Sequence, residues 1–307
     1  MQNLDRLIAR AETMLGQLEQ LLPSTREPDW SAGFAFRWRR RATALGVQGW
    51  LQPVKTLSSI RLADLKNIDD QKKDIDRNTR QFVAGLPANN VLLTGSRGTG
   101  KSSLIKACLN AHAKKGLRLI EVDKDDLVDL PDIVELVAGR PERFIVFCDD
   151  LSFEEGEAGY KALKVVLDGS VAAQSDNVLI YATSNRRHLM PEYMSENLEA
   201  KHQPDGEIHP GERVEEKISL SERFGLWVSF YPFRQDEYLA VVGHWLSGFG
   251  CDAVEIESAR GDALRFALER GSRSGRVAWQ FARDWAGRHG RAATPRGETG
   301  RRGAATR

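Results

Sequence analysis

The stretch Asn90–Leu104, NVLLTGSRGTGKSSL, decides how the rest of the chain is read. Val91, Leu92 and Leu93 form an apolar run of strand length, and Ser103 to Ala113 reads as a helix. Between them lie Gly95, Gly98 and Gly100, followed by Lys101 and Ser102. Strand, glycine-rich turn and helix in that order are the context that G-x-x-x-x-G-K-[ST] requires. Glycines lack a Cβ and admit positive φ, so the loop Gly95, Ser96, Arg97, Gly98, Thr99, Gly100, Lys101, Ser102, Ser103 can turn its N–H groups inward as an anion nest. The dipole of the following helix adds to the nest, the Lys101 ammonium suits β- and γ-phosphates, and the Ser102 hydroxyl suits Mg²⁺. A nucleoside triphosphate with Mg²⁺ is the expected ligand.

Downstream, Leu117 to Val122 is a second apolar strand, Pro131 opens a short helix, and Arg143 to Leu151, RFIVFCDDL, is a third strand ending in two acids. Carboxylates leaving a buried strand need a purpose, because unpaired charge is costly to bury. Beside a phosphate loop, Asp149 suits the Mg²⁺ shell and Asp150 suits activation of water, the Walker B arrangement. A helix over 158–172 leads to a fourth strand, Asn177 to Thr183, whose tip carries Asn185, an amide suited to the attacking water or simply to a turn. Residues 188–217 read as a polar insertion, and His188, His202 and His209 within it match no metal spacing. SLSERFGLWVSFYPF, residues 219–233, places Arg223 before a fifth strand at Leu226 to Tyr231. Residues 234–286 are helical in pattern, with Arg273 and Arg276 near the start of the last helix.

Upstream, residues 56–84 lead into the loop, and Leu65 and Ile68 are placed to cover an adenine ring, with core packing as the competing reading. Phe34 to Arg41, FAFRWRRR, interleaves aromatics with four arginines. Nucleic-acid binding by stacking and phosphate contact is one reading; the plainer one is a helix with an apolar face and a solvated basic face. Leu4, Leu7, Ala11, Met14, Leu18 and Leu21 outline an amphipathic helix over 4–22 that packs on the rest of the protein.

The whole chain is 307 residues at net charge +1, and residues 287–307 hold six arginines against one acid, Glu298. The body is therefore no general polyanion binder, whereas the tail, expected to be disordered, is a possible nucleic-acid contact. Cys108, Cys148 and Cys251 are widely spaced and pair in no metal-like pattern, which suits a reducing cytosol, with Cys108 and Cys148 in apolar surroundings read as buried side chains. No apolar run reaches membrane-span length and no secretory pattern opens the chain, so a cytoplasmic protein is expected.

Strands alternating with helices imply an α/β fold with a parallel five-stranded sheet, covered on both faces, with ligand at the carboxyl ends of the strands. GSRGTGKS, FIVFCDD, YATSN, SERF and GSRSGR in that order resemble the AAA+ ATPases over residues 56–286, most nearly the replication-initiator and helicase-loader branch. The phrases ANNVLLTGSRGTGKSSL, CDDLSFEEGE, YKALK, ATSNRRHL and SLSERFGLWVSFYPF look like a bacterial family known mainly as predicted AAA+ ATPases of unknown function. The resemblance implies a P-loop NTPase domain over 56–233 and a helical lid over 234–286, and the patterns outside it add a helical extension over 1–55 and a disordered basic tail over 287–307. It also implies that Arg223 reaches the nucleotide of a neighbouring copy in a homo-oligomer, and that Arg276, with Arg273 as the alternative, touches the nucleotide from the lid. Many AAA+ motors carry Glu where this chain has Asp150, so Glu154 or Glu155 stands as a rival base.

Three functions follow from these residues. The first is an ATP-hydrolysing switch that remodels a nucleic-acid or protein client. The second is an ATP-binding assembly module with little hydrolysis, and the third a small-molecule kinase. Asp123 to Pro131, DKDDLVDLP, lacks the aromatic–hydrophobic–glycine loop of protein-unfolding motors.

Overall fold

A computed structural model describes residues 28–43, 46–153, 157–169, 175–185 and 220–291, with the single residues 6 and 10 and the pairs 201–202 and 208–209. The helix expected over 4–22, the insertion over 188–217, Glu154 and Glu155, and the tail beyond residue 291 lie wholly or almost wholly outside the described residues.

The strands are β1 (Ala35–Thr43), β2 (Gly46–Pro53), β3 (Val91–Gly95), β4 (Leu117–Glu121), β5 (Arg143–Cys148), β6 (Val178–Ser184), β7 (Lys201–His202), β8 (Ile208–His209) and β9 (Leu226–Phe230). The helices are α1 (Asp69–Val83), α2 (Lys101–His112), α3 (Leu130–Val137), α4 (Ala158–Asp168), α5 (Gln235–Gly248), α6 (Ala253–Ser258), α7 (Arg260–Glu269) and α8 (Gly275–Arg288). β7 pairs with β8, and the other seven strands form one sheet in the order β2-β1-β4-β5-β6-β3-β9.

The five expected strands are present as β4-β5-β6-β3-β9, each parallel to its neighbours. The continuous apolar runs of β3, β5 and β6 follow from burial on both faces, whereas β4 carries the half-buried Arg118 and β9, at the edge of the sheet, alternates between buried and exposed residues. Along β3, Val91 and Leu93 face a core shared with α1, α2 and the C-terminal helices, whereas Leu92 faces a second core built with α3 and α4. Tyr181 on β6 is fully buried with its hydroxyl satisfied, since Asn78 Nδ2 donates to it at 3.0 Å and Thr79 Oγ1 lies 3.0 Å away, which ties α1 to the sheet.

Two expectations are corrected. The sheet has seven strands rather than five, and residues 35–53, expected within a helical extension, are an antiparallel hairpin whose β1 runs parallel to β4. The cause lies in FAFRWRRR. Phe36 and Trp38 alternate with Arg37 and Arg39 at the period of a strand, and the two aromatics enter the α3/α4 core with Leu51 of β2. Arg40, on the same face as Trp38, would break that pattern were it not met by acids. Its Nε lies 3.0 Å from Asp129 Oδ2 and its Nη1 3.8 Å from Asp126. Trp38 Nε1–H donates to the same Asp129 oxygen at 2.9 Å, and Arg37 pairs with Glu121 at 2.5 Å. The arginine run is largely neutralised by the segment that follows β4.

Candidate functional site

The loop between β3 and α2 needs its glycines for different reasons. Gly95 has φ +126°, and a Cβ there would sit 1.9 Å from the Phe230 carbonyl oxygen of β9, so the loop leaves the sheet where only hydrogen fits. Gly98 has φ +77°, and a Cβ would meet Ser274 Oγ at 2.8 Å. Ser274 is the N-cap of α8 and accepts from Val277 N at 3.3 Å, while Arg276 N donates to Gly98 O at 3.4 Å. The first turn of α8 therefore rests on the tip of the loop.

Lys101 opens α2 and is almost fully buried. Its ammonium donates to the carbonyls of Gly95 and Ser96, the latter at 2.9 Å, and to Asn185 Oδ1 at 3.0 Å. Burial pushes its pKa down to about 8; the charges of Asp149 and Asp150 act against that, and those of Arg276 and Arg97 add to it. Asn185 Nδ2 donates in turn to Asp150 Oδ1, and Arg97 Nη2 lies 3.6 Å from the other oxygen of Asp150.

Asp149 is held separately. The Ser102 hydroxyl donates to Asp149 Oδ1 at 2.6 Å, and the Thr183 hydroxyl donates to the same oxygen at 2.5 Å. A hydroxyl and a carboxylate in contact, with loop amides beside them, form a hard-oxygen donor set of the kind Mg²⁺ takes when phosphates complete its shell. Among the described residues no cluster of three or more His, Cys, Asp or Glu side chains could hold a metal by itself.

A cavity of about 980 Å³ joins these groups. Arg97, Gly98, Thr99, Gly100, Lys101, Ser102, Ser103, Asp149, Asp150 and Asn185 line one end, Leu65 and Ile68 line its linker side, and Arg276 closes over it from α8. Gly95 and Ser96 stand behind the lining as carbonyl partners of Lys101. Arg223 and Arg273 are not brought in. Arg223 Nε donates to Asp168 at the end of α4, and Arg273 is exposed, its carbonyl accepting from Phe233 N at 3.3 Å. Cys108 and Cys148 are buried thiols pushed up to about 12, and Cys251 is buried as well, so none is a nucleophile at neutral pH.

Sequence reasoning missed Thr183, although a hydroxyl two residues before Asn185 at the end of a buried strand was a visible signal. It also missed His244 and Trp245 of α5 and Trp279 of α8, which line the far wall of the cavity. Trp245 and Trp279 meet edge to face at 4.5 Å. Their spacing within helices gave no hint that they face a cavity rather than the core.

The strand order, the loop between β3 and α2, the two acids after β5 and the helices leaning on the loop define a phosphate-loop α/β fold with the layout of the AAA+ class. The chain belongs to the family described as protein of unknown function (DUF815), whose sequence profile matches residues 31–289. No curated protein matches it in sequence. Among solved structures it is similar to Thermotoga maritima RuvB, described as a Holliday junction branch migration motor, at TM-score 0.42 and 13% identity over 72% of this chain and 70% of that one. It is also similar to a chain of an E. coli MS115-1 HORMA:CdnC:Trip13 complex, at TM-score 0.46 and 12% identity over 73% and 90%. A structure described as a DNA replication initiation factor matches at TM-score 0.44 and 15% identity over 72% and 63%. Likenesses this distant carry no functional argument, and the fold assignment rests on the chain's own topology. No helix of the described residues is long and apolar enough to cross a membrane.

Proposed function

We propose that the chain is an ATPase that converts ATP and water to ADP and phosphate, and that ATP drives its assembly into a homo-oligomeric switch acting on a nucleic-acid or protein client. The observation that carries this reading is the convergence of Lys101, Ser102, Asp149, Asp150 and Asn185 at one end of one cavity. The amides of residues 95–103 would bind phosphate oxygens, and the Lys101 ammonium would exchange its carbonyl partners for the β- and γ-phosphates. Ser102 and Asp149 would hold Mg²⁺, whose contribution is to neutralise charge on the phosphoryl oxygens. Asp150 and Asn185, already in contact, would accept a proton from water and orient it. Leu65 and Ile68 would cover the base, and Arg276, with Arg273 as the alternative, would reach the nucleotide from the lid. The division into a nucleotide domain over 56–233 and a lid over 234–286, a cytoplasmic location, and nucleic-acid contact through the basic tail belong to the same proposal.

A second reading, an ATP-binding module with little hydrolysis, is favoured by two observations. Asp150 is the shorter acid and already touches Asn185 and Arg97, and Arg223 pairs within its own chain to Asp168. One experiment separates the two. Lys101→Ala should lose binding of a fluorescent ATP analogue, whereas Arg223→Ala should bind it normally and lose ATPase activity, by about a thousandfold if Arg223 acts as a trans finger. Mixing the two inactive proteins should restore activity, since each supplies what the other lacks. Full activity of Arg223→Ala at every protein concentration would leave Arg223 as a surface ion pair worth little and favour the module.

A further inference from the structure

Asp149 and Asp150 follow β5, but the group that joins them lies on β6. Thr183 is 1% exposed, and its hydroxyl makes two contacts. It donates its one proton to Asp149 Oδ1 at 2.5 Å and accepts from the backbone N–H of Asp150 at 2.9 Å. The Thr183 carbonyl accepts from Leu151 N at 2.7 Å, so one residue of β6 holds three successive residues after β5. Asp150 has φ +55°, a left-handed conformation uncommon outside glycine, and that conformation goes with a carboxylate placed against Asn185 and Arg97.

We infer that the Thr183 hydroxyl is a positioning group for both acids, an inference that rests on the ATPase reading above. The Ser102 hydroxyl is the other donor to Asp149 Oδ1, and it is also the hydroxyl that would turn to Mg²⁺. Once it turns, Thr183, anchored in the sheet, is the donor left to fix the Asp149 carboxylate. The same oxygen holds the Asp150 amide, so the distance between the cation-holding acid and the water-facing acid is set from β6 and not by the loop that carries them. A valine keeps the shape of threonine but removes donor and acceptor together, leaving the Asp150 N–H without its partner and Asp149 free to rotate.

The test uses the full chain with Thr183→Val, Thr183→Ser and Thr183→Ala. Thr183→Val should lower kcat about tenfold or more while affinity for a fluorescent ATP analogue stays within about threefold, and the Mg²⁺ concentration needed for half-maximal activity should rise. Thr183→Ser, which keeps the hydroxyl, should stay near the unmodified chain. If Thr183→Val does not fold, Thr183→Ser and Thr183→Ala differ by the hydroxyl alone, and their kcat ratio carries the same test. Equal kcat and Mg²⁺ requirement in Thr183→Val and the unmodified chain would overturn the inference while leaving the ATPase reading intact, and so would a serine variant as impaired as the alanine one. An unmodified chain that binds the analogue without hydrolysing it would remove the ATPase reading, and the inference would then stand or fall on whether Thr183→Val raises the Mg²⁺ needed for binding. A chain that neither binds nor hydrolyses would remove both.

Discussion

The phosphate loop and strand β1 both carry basic side chains, and they use their charges in opposite ways. In the phosphate loop, Lys101 donates only to neutral acceptors, and burial lowers its pKa despite the charges of Asp149 and Asp150 nearby. In β1, Arg37, Arg39 and Arg40 each meet a carboxylate from residues 121–129. A cation hydrogen-bonded only to neutral groups suits an anionic ligand, whereas one paired with a carboxylate within the fold is a fastener. The difference lies in long-range contact and not in the number of basic residues.

The largest expected effect is at the loop. Gly95→Ala would drive a Cβ into the backbone of β9 at a position of positive φ, so it should cost about 4 kcal/mol or more and remove nucleotide binding. Chemical denaturation checks the first part and analogue titration the second. A variant that folds and binds as before would show that the loop is less tightly fitted than its contacts imply.

The next test reads the charge of Lys101 directly. In the free protein its pKa is lowered from the ordinary 10.5 to about 8, and an anionic phosphate would raise it again. Binding between about pH 8 and 10 should therefore take up protons, and calorimetry in buffers of different ionisation enthalpy measures the number. Folding has the opposite sign, releasing a proton where binding takes one up. The unfolded chain holds this proton more tightly than the folded one, so the Lys101 contribution to stability rises as pH climbs through 8 towards 10.5. Absence of proton uptake would remove the contrast with β1.

In β1 the effects are smaller and graded by burial. Asp129→Ala leaves the Trp38 N–H without its acceptor and Arg40 without its nearest carboxylate, and should cost about 1–3 kcal/mol. Arg39→Ala breaks a pair 3.8 Å apart, with side chains 38% and 60% exposed, and should cost less than about 1 kcal/mol. A loss at Arg39 as large as that at Asp129, in thermal or urea unfolding, would mean that exposed pairing matters more in this hairpin than its geometry allows.

What was legible in the sequence follows the same division. β3, β5 and β6 announce themselves because strands buried on both faces must be continuously apolar, β4 and β9 because short apolar and aromatic runs stand out between helical segments, and the phosphate loop because its glycine spacing is a backbone requirement. The β1–β2 hairpin was not legible. Arg40 stands where a core residue belongs, and the acids that admit it, Asp126 and Asp129, lie more than eighty residues away. Asp149, Asp150 and Asn185 were singled out by position at strand ends, and the structure brings them to one end of the cavity. Thr183 was missed because its role depends on two contacts across strands, and the Arg223 pairing with Asp168 because nothing local marks it.

The place of β3 in the sheet carries a consequence for how the chain is made. Its neighbours are β6, which begins at residue 178, and β9, which begins at residue 226. During synthesis from the N-terminus, β2, β1, β4 and β5 can associate while the strand that carries the phosphate loop still waits for both of its partners. Pairings this distant along the chain are slow to close. The Phe230 carbonyl that confines Gly95 arrives later still, so a nascent chain settles its phosphate loop only after residue 230 has been added, more than 130 residues beyond the loop's first glycine.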